Sequence, residues 1–411
     1  MNYFLQSWSD AAMTSLGFFW MALWAFAFGY FISSLIQVFI THKQMQEKMG
    51  KDGFKSVALG TFFGFISSSC SFAALSTTRA IFERGAGFIS SIAFLLASTN
   101  LVIELGIVIG IFLGWQFIAG EYIGGFLLIS FAWLFVKFTN PKKLISNVRK
   151  RLSNNQNDDI EETSSWKKKI TSIEGWQEIA MKYVMEWQMV WKDVLIGFTI
   201  AGIISAFIPN EFFQTLFIGS GSTEMGSLSF LEVLSQTLIG PFAAFLTFIG
   251  SMGNIPLAAL LFDHGVSFAG VMAFIFSDLV VLPILRINAK YYGWKMALYI
   301  MALLLTCLVA TSLVLHYSFA AFDLLPNFSG KNSIIKQDMF KLDYGFVLNI
   351  IFLFISGILG LLWWKSSSNM QHEHESNDVS ITQWLMRIIS FLAFFWLIGG
   401  VIIKIIGINA S

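Results

Sequence analysis

Charge is what this chain has least of. Only 12% of its 411 residues are Asp, Glu, Lys or Arg, about half the share of a soluble domain. That scarcity, with 56% hydrophobic and 16% aromatic residues and a mean hydropathy of +0.69, excludes a soluble globular protein and points to a chain that crosses a bilayer many times. A net charge of +1 says nothing about nucleic acid, but no long basic tract with interleaved aromatics offers a strand a path, so no nucleic-acid partner is expected. Cysteine is nearly missing. Cys70 and Cys307 both lie in apolar stretches, which rules out a disulfide framework or a CxxC metal motif. No P-loop, HExxH or nucleophile elbow is present, so nothing suggests ATP-driven transport, proteolysis, hydrolysis or a cofactor. His372-Glu373-His374-Glu375 stands alone in a short polar loop and reads as solvated. The start, MNYFLQSWSD, lacks the basic region of a signal peptide, so the first span is expected to be retained.

What is present is a duplication. GTFFGFISSSCSFAALSTTRAIFERGAGFISSIAFLLASTN (60–100) aligns without gaps, 180 residues on, with GPFAAFLTFIGSMGNIPLAALLFDHGVSFAGVMAFIFSDLV (240–280). Identities fall at Gly60/Gly240, Phe62/Phe242, Phe65/Phe245, Ser71/Ser251, Phe82/Phe262, Gly85/Gly265, Phe88/Phe268, Ala93/Ala273 and Phe94/Phe274. Each copy is apolar yet interrupted, at Ser67–Ser71 and at Gly250–Pro256. A repeated, broken apolar segment is a pointer to a transporter's binding site.

Spans are expected near 13–40, 88–113, 116–138, 193–208, 266–285, 295–317, 345–364 and 384–407, with interrupted segments near 57–84 and 237–264 in addition. Lys43, Lys48, Lys51 and Lys55 crowd one loop, and 139–192 carries Lys142, Lys143, Arg149, Lys150, Arg151 and Lys167–Lys169. The positive-inside rule puts both in the cytoplasm. Two spans lie between them, so segment 57–84 should enter and leave on one side; counted onward, segment 237–264 dips in from the other. The expected architecture is all-α, about eight transmembrane helices plus two re-entrant or broken-helix hairpins in an inverted-topology repeat. Its parts are a first membrane repeat (1–138), a cytoplasmic linker (139–192), a second, inverted repeat (193–320), and an extracytoplasmic loop with two C-terminal spans (321–411). In the linker, Trp176, Ile179, Ala180, Tyr183, Trp187 and Trp191 share a helix face, read as an amphipathic helix on the membrane surface; the alternative is an early start to the next span.

Polar residues in the interrupted segments are the candidate substrate contacts: Ser69, Cys70 and Ser71 in one, Ser251 and Asn254 in the other. Hydroxyls and amides supply donors and acceptors without burying charge, and helix starts inside the membrane leave amides for a solute. The bland alternatives are close helix packing for the serines, capping for Asn254 and inert packing for Cys70 and Cys307. Gly85, Gly253, Pro256 and Gly265 are assigned to the hairpins' shape, Pro256 in the first turn of its helix. Asn100, Glu104 and Asp278 lie deep in spans. Asn100 is a further substrate contact, and Glu104 and Asp278 are candidates for proton coupling, with an Asp278–Arg286 ion pair as the structural alternative.

These segments resemble the YraQ and ArsP predicted permeases, whose motifs run CSCGxxPLAxxLxxxGxxxGxxxAFLxAxP and GNIPxAxxLxxxGxSFGGxxAFIxADL. The second copy matches at Gly253-Asn254-Ile255-Pro256, Leu257-Ala258-Ala259, Gly265, Ser267-Phe268, Gly270, Ala273-Phe274-Ile275 and Asp278-Leu279, followed by Pro283 and Tyr291-Tyr292-Gly293. The first matches at Cys70-Ser71 and Gly85 but has Phe72, Ala73 and Ser76 where the family has cysteine, glycine and proline. The resemblance covers residues 15–320. It implies a multi-pass inner-membrane permease acting on a small solute, with arsenical efflux the best-known family activity. The competing expectations are a sulfur-oxyanion or other small-anion permease, a lipid-handling protein, for which no basic headgroup pocket is evident, and a non-transporting scaffold.

Overall fold

The computed structural model describes residues 3–39, 53–67, 71–83, 85–152, 172–218, 220, 228–247, 251–326, 339–367 and 381–409. Ser69, Cys70 and the His372–Glu375 run lie outside them. Among the described residues all regular structure is helical. Seven helices are long and apolar enough to cross a membrane, and an eighth is a pair bent by 42°. The protein is an all-α integral membrane protein.

The chain opens with α1 (Tyr3–Phe39). The first interrupted segment forms α2 (Phe54–Ser67) and α3 (Ser71–Glu83). The bent span is α4 (Phe88–Asn100) with α5 (Ile103–Phe112), followed by α6 (Trp115–Thr139) and the basic α7 (Lys142–Leu152). The second set begins with α8 (Ile173–Phe207) and the short α9 (Asn210–Leu216). The second interrupted segment forms α10 (Phe230–Thr247) and α11 (Ser251–Asp263). Its broken span runs α12 (Phe268–Ile275), a 3₁₀ turn (Phe276–Val280) and α13 (Leu282–Tyr292), and α14 (Trp294–Ala321) closes the set. The spans α15 (Tyr344–Ser367) and α16 (Ile381–Asn409) come last.

Local chemistry explains several boundaries. At the start of α10, Ser229 and Glu232 form a capping box: Ser229 N–H donates to Glu232 Oε2 at 2.7 Å, and the Glu232 amide donates to Ser229 Oγ at 3.4 Å. Ser172 and Ser267 each accept an amide proton three residues on, capping α8 and α12. α8 runs unbroken from Ile173 to Phe207, so the tryptophan-rich face and the span after it form one helix, about 52 Å long and longer than the hydrocarbon of a bilayer. Ser172 starts that helix and no proline interrupts it, so nothing stops it before Phe207.

The two halves share their turns. After α3, Gly85 adopts φ 104°, its N–H reaches Phe82 O at 3.2 Å, and Ala86 N–H reaches Ile81 O at 3.2 Å. After α11, Gly265 adopts φ 83°, its N–H reaches Phe262 O at 2.9 Å, and Val266 N–H reaches Leu261 O at 3.0 Å. Both are Schellman caps, and only glycine adopts that backbone without strain.

In each half both arms of the interrupted segment pack on the helix that follows, α2 and α3 on α4, α10 and α11 on α12. At 1.5 Å per residue, an arm such as α3 or α11 is about 20 Å long, too short to cross a bilayer alone. Corresponding helices also pack against each other, and antiparallel. In α1 and α8, Phe4 meets Phe207 while Phe26 meets Trp187. In α6 and α14, Thr139 meets Tyr299 while Gly124 meets Leu315.

Three glycine replacements separate these effects in thermal unfolding of the detergent-solubilised protein. Gly85 has open space around its missing Cβ, so Gly85→Ala should cost only its backbone strain, about 1–2 kcal/mol. At Gly197 a Cβ would fall 2.4 Å from the Gly253 carbonyl oxygen, and Gly197→Ala should cost more. Gly357 is helical with nothing nearby, and Gly357→Ala should be neutral or stabilising.

Candidate functional site

The interrupted segments meet at one carboxylate. Ser71 is the first residue of α3, and Ser251 the first of α11. Their hydroxyl oxygens lie 3.1 Å apart. Ser251 Oγ donates to Asp278 Oδ2 at 2.6 Å, and Ser71 Oγ donates to the same oxygen at 3.1 Å. The contact joins the repeat pair Ser71/Ser251, 180 residues apart, through the acidic residue of the second half. Asp278 is only 2% exposed. A carboxylate held there faces the positive ends of two helix dipoles and two hydroxyl donors.

Asp278 owes its position to a break in its span. It sits in the 3₁₀ turn between α12 and α13, where Val281 is extended (φ −71°, ψ 154°) and Pro283 starts the next helix. The first half breaks at the corresponding place: Val102 is extended (φ −81°, ψ 142°) between α4 and α5. Within α11, Pro256 falls in the second turn instead of the first, so the helical N–H that would reach the Met252 carbonyl is missing. Asn254, 0% exposed, is the fourth residue of α11 and therefore not its N-cap. Gly253 provides the surface on which Gly197 of α8 packs.

The other expected residues have the following surroundings. Asn100 is buried, but its Nδ2 donates to Leu96 O and to Thr99 Oγ1, both at 3.0 Å, within the last turn of α4. Glu104, in the first turn of α5, packs against Gly29 of α1, where an added Cβ would fall 2.0 Å from the Glu104 Cβ. Arg286 is exposed on α13, so the ion pair weighed for Asp278 is not formed. Cys307 is buried in α14 as packing. No metal-ligand cluster occurs among the described residues.

A family model described as a predicted permease, ArsP_1, matches residues 7–317. The chain belongs to this permease family. The Mycobacterium tuberculosis (strain ATCC 25618 / H37Rv) protein named "Putative permease Rv2963" is 34% identical over 323 residues, covering 76% of this chain and 77% of its own. No solved structure matches the chain. The family match takes in α1 to α13 and most of α14, so α15 and α16 lie outside it.

The permease holds a second carboxyl that the sequence reading missed. Glu121 on α6 is 0% exposed, and neither of its oxygens has a hydrogen-bond partner among the described residues. Like Asp278, it is buried in the helix bundle. Glycines around it let α6 come close: a Cβ at Gly120 would fall 2.9 Å from Phe268, and one at Gly124 would fall 2.4 Å from Phe276. Glu121 lies five residues into the expected span 116–138, where a carboxyl passes for an interfacial one. The available signal was its helix face, shared with Phe117, Gly120, Gly124 and Leu128.

A double-mutant cycle checks the serine–carboxylate contact. Ser251→Ala should cost about 1.5–3 kcal/mol against the wild-type carboxylate and about 0.5–1.5 kcal/mol in an Asp278→Asn background, where the hydrogen bond is neutral. Equal penalties in both backgrounds would mean that the hydroxyl does not serve a charge.

Proposed function

We propose that this permease is a secondary transporter that moves a small solute past the Ser71–Ser251–Asp278 cluster, exposing it alternately to the two sides of the membrane. The carrying observation is the meeting of both interrupted segments on one buried carboxylate. The two serines and Asp278 form a closed triangle of oxygens, which accommodates two protons when both hydroxyls donate to a carboxylate and three when Asp278 is protonated. A site with two proton counts is suited to exchange a proton for a solute. We assign the coupling to Asp278, with Glu121, fully buried, in place of the expected Glu104. Antiparallel packing of α1 on α8 and of α6 on α14, and the twin Schellman caps, support an inverted repeat with one segment entering from each side.

The cargo we favour is an arsenical or related metalloid species, exported from the cell. The family resemblance supports this, as does Cys70, a thiol next to Ser71 in sequence. The small-anion reading draws on the two helix starts, but Asp278 already occupies the position an anion would take between them. A scaffold without transport gives no reason to bury carboxyls as fully as Asp278 and Glu121.

The test is uptake and susceptibility of a deletion strain, complemented by variants, across arsenite, methylated arsenicals, antimonite and sulfur oxyanions. Wild type should protect against an arsenical or antimonite, and Asp278→Asn should lower flux by roughly tenfold or more. Glu121→Gln should keep the fold but make flux insensitive to an imposed pH gradient. Full activity of Asp278→Asn would overturn the site; protection only against sulfur oxyanions, with Cys70→Ser active, would overturn the cargo.

A further inference from the structure

The structure carries a second feature, on the lipid-facing side of α8 and away from the serine–carboxylate cluster. The helix α16, outside the family match, packs on α1 and α8. Its contact with α1 is tight: a Cβ at Gly400 would fall 2.3 Å from the Ala12 Cβ, and Trp8 Nε1 donates to Trp396 O at 2.9 Å. Beside this contact α8 and α16 diverge. They leave two cavities of about 600 and 570 Å³ that share Trp191, Leu195 and Phe394 and so form one groove.

The groove is apolar along its length and basic at one end. Phe19, Phe198, Ile398 and Ile402 line the apolar part. Its three hydroxyls are already used by their own helices: Ser15 Oγ donates to Ala11 O at 2.8 Å, Thr199 Oγ1 to Leu195 O at 2.7 Å and Ser390 Oγ to Met386 O at 2.6 Å. An occupant therefore meets no unpartnered hydroxyl there. Lys192 and Arg387 stand together at the other end. Among the described residues neither has a carboxylate within ion-pair distance; Asp193 follows Lys192 but lines neither cavity. Arg387 is one residue inside the apolar span Met386–Ile406, at the depth of a headgroup. Lys192 also lies over the Trp191 ring, 5.6 Å from its centre, an arrangement typical of the membrane interface. From Arg387 to Ile402 the groove extends about 22 Å along the helix, more than the roughly 15 Å of hydrocarbon in one leaflet.

We infer that this groove binds one anionic phospholipid, its phosphate between Lys192 and Arg387 and an acyl chain against Phe198, Phe394 and Ile398. Charge selects the headgroup, and the length and dryness of the groove select the chain. The basic pocket missing from the sequence reading is assembled from α8 and α16, whose cations are 195 residues apart.

Native mass spectrometry of the delipidated full-length protein tests this, with phosphatidylglycerol or phosphatidylcholine of the same chain length added in turn. Wild type should retain phosphatidylglycerol about tenfold or more over phosphatidylcholine. Lys192→Gln with Arg387→Gln should abolish that preference, and Lys192→Arg with Arg387→Lys should keep it. Leu195→Trp should reduce binding of both lipids by filling the groove. Lys404→Gln, which breaks the 3.7 Å contact with Asp10 outside the groove, should change nothing. Equal binding of the two lipids by wild type overturns the inference without need of a variant. So does a preference that survives loss of both cations, or a dimer that excludes lipid from the groove.

Discussion

A helix that begins inside a bilayer must find partners for its first amides and offset its positive end without water. On the reading proposed, two helices of this permease begin that way, at Ser71 and at Ser251, and they share one carboxylate. Much of the core architecture follows from that constraint. The span carrying Asp278 is broken by a 3₁₀ turn at the level of the serines, which sets the carboxyl between the two helix starts. The arms that bring the serines there are reversed by glycine caps at Gly85 and Gly265, and each arm is supported by the helix after it.

Close approach has the same cause. A broken helix has fewer internal hydrogen bonds, so neighbouring helices must hold it in register. Gly197 brings α8 onto the Gly253 carbonyl beside Ser251, and Gly120 and Gly124 bring α6 onto the α12 side of the broken span. The second approach also buries Glu121, whose carboxyl then shares the low-dielectric interior with Asp278. One packing solution thus creates the close fit and the pair of carboxyls.

The spans were legible because each is a long apolar run between polar loops, and the eight expected are found, one of them bent. Gly85 and Gly265 could be read as turn formers, since a glycine after a helical run is itself a physical signal. Ser71, Ser251 and Asp278 were legible as candidates from the duplication and their depth. Their contact was not, because it joins residues up to 207 positions apart. Asn100 and Glu104 had the same apparent depth; Asn100 bonds within its own helix end, and the Glu104 Cβ packs at Gly29. Rotation hid Glu121. The basic mouth at Lys192 and Arg387 was invisible for a further reason: each cation alone reads as an ordinary interfacial residue.

The charge balance at the serine–carboxylate cluster bears on what the site would accept. Two helix starts together present roughly one positive charge, which an ionised Asp278 cancels. A neutral solute could approach that balanced site without a net electrostatic penalty, whereas an anion would have to displace or neutralise the resident carboxylate first. Protonating Asp278 alters the balance and rearranges the hydroxyl protons at once, because the serines then have an acid instead of an acceptor beside them. Glu121 is likewise closed off from water. Proton coupling, on the reading proposed, belongs to the pair, and the segment ends need only move enough to make or break the shared contact at Asp278.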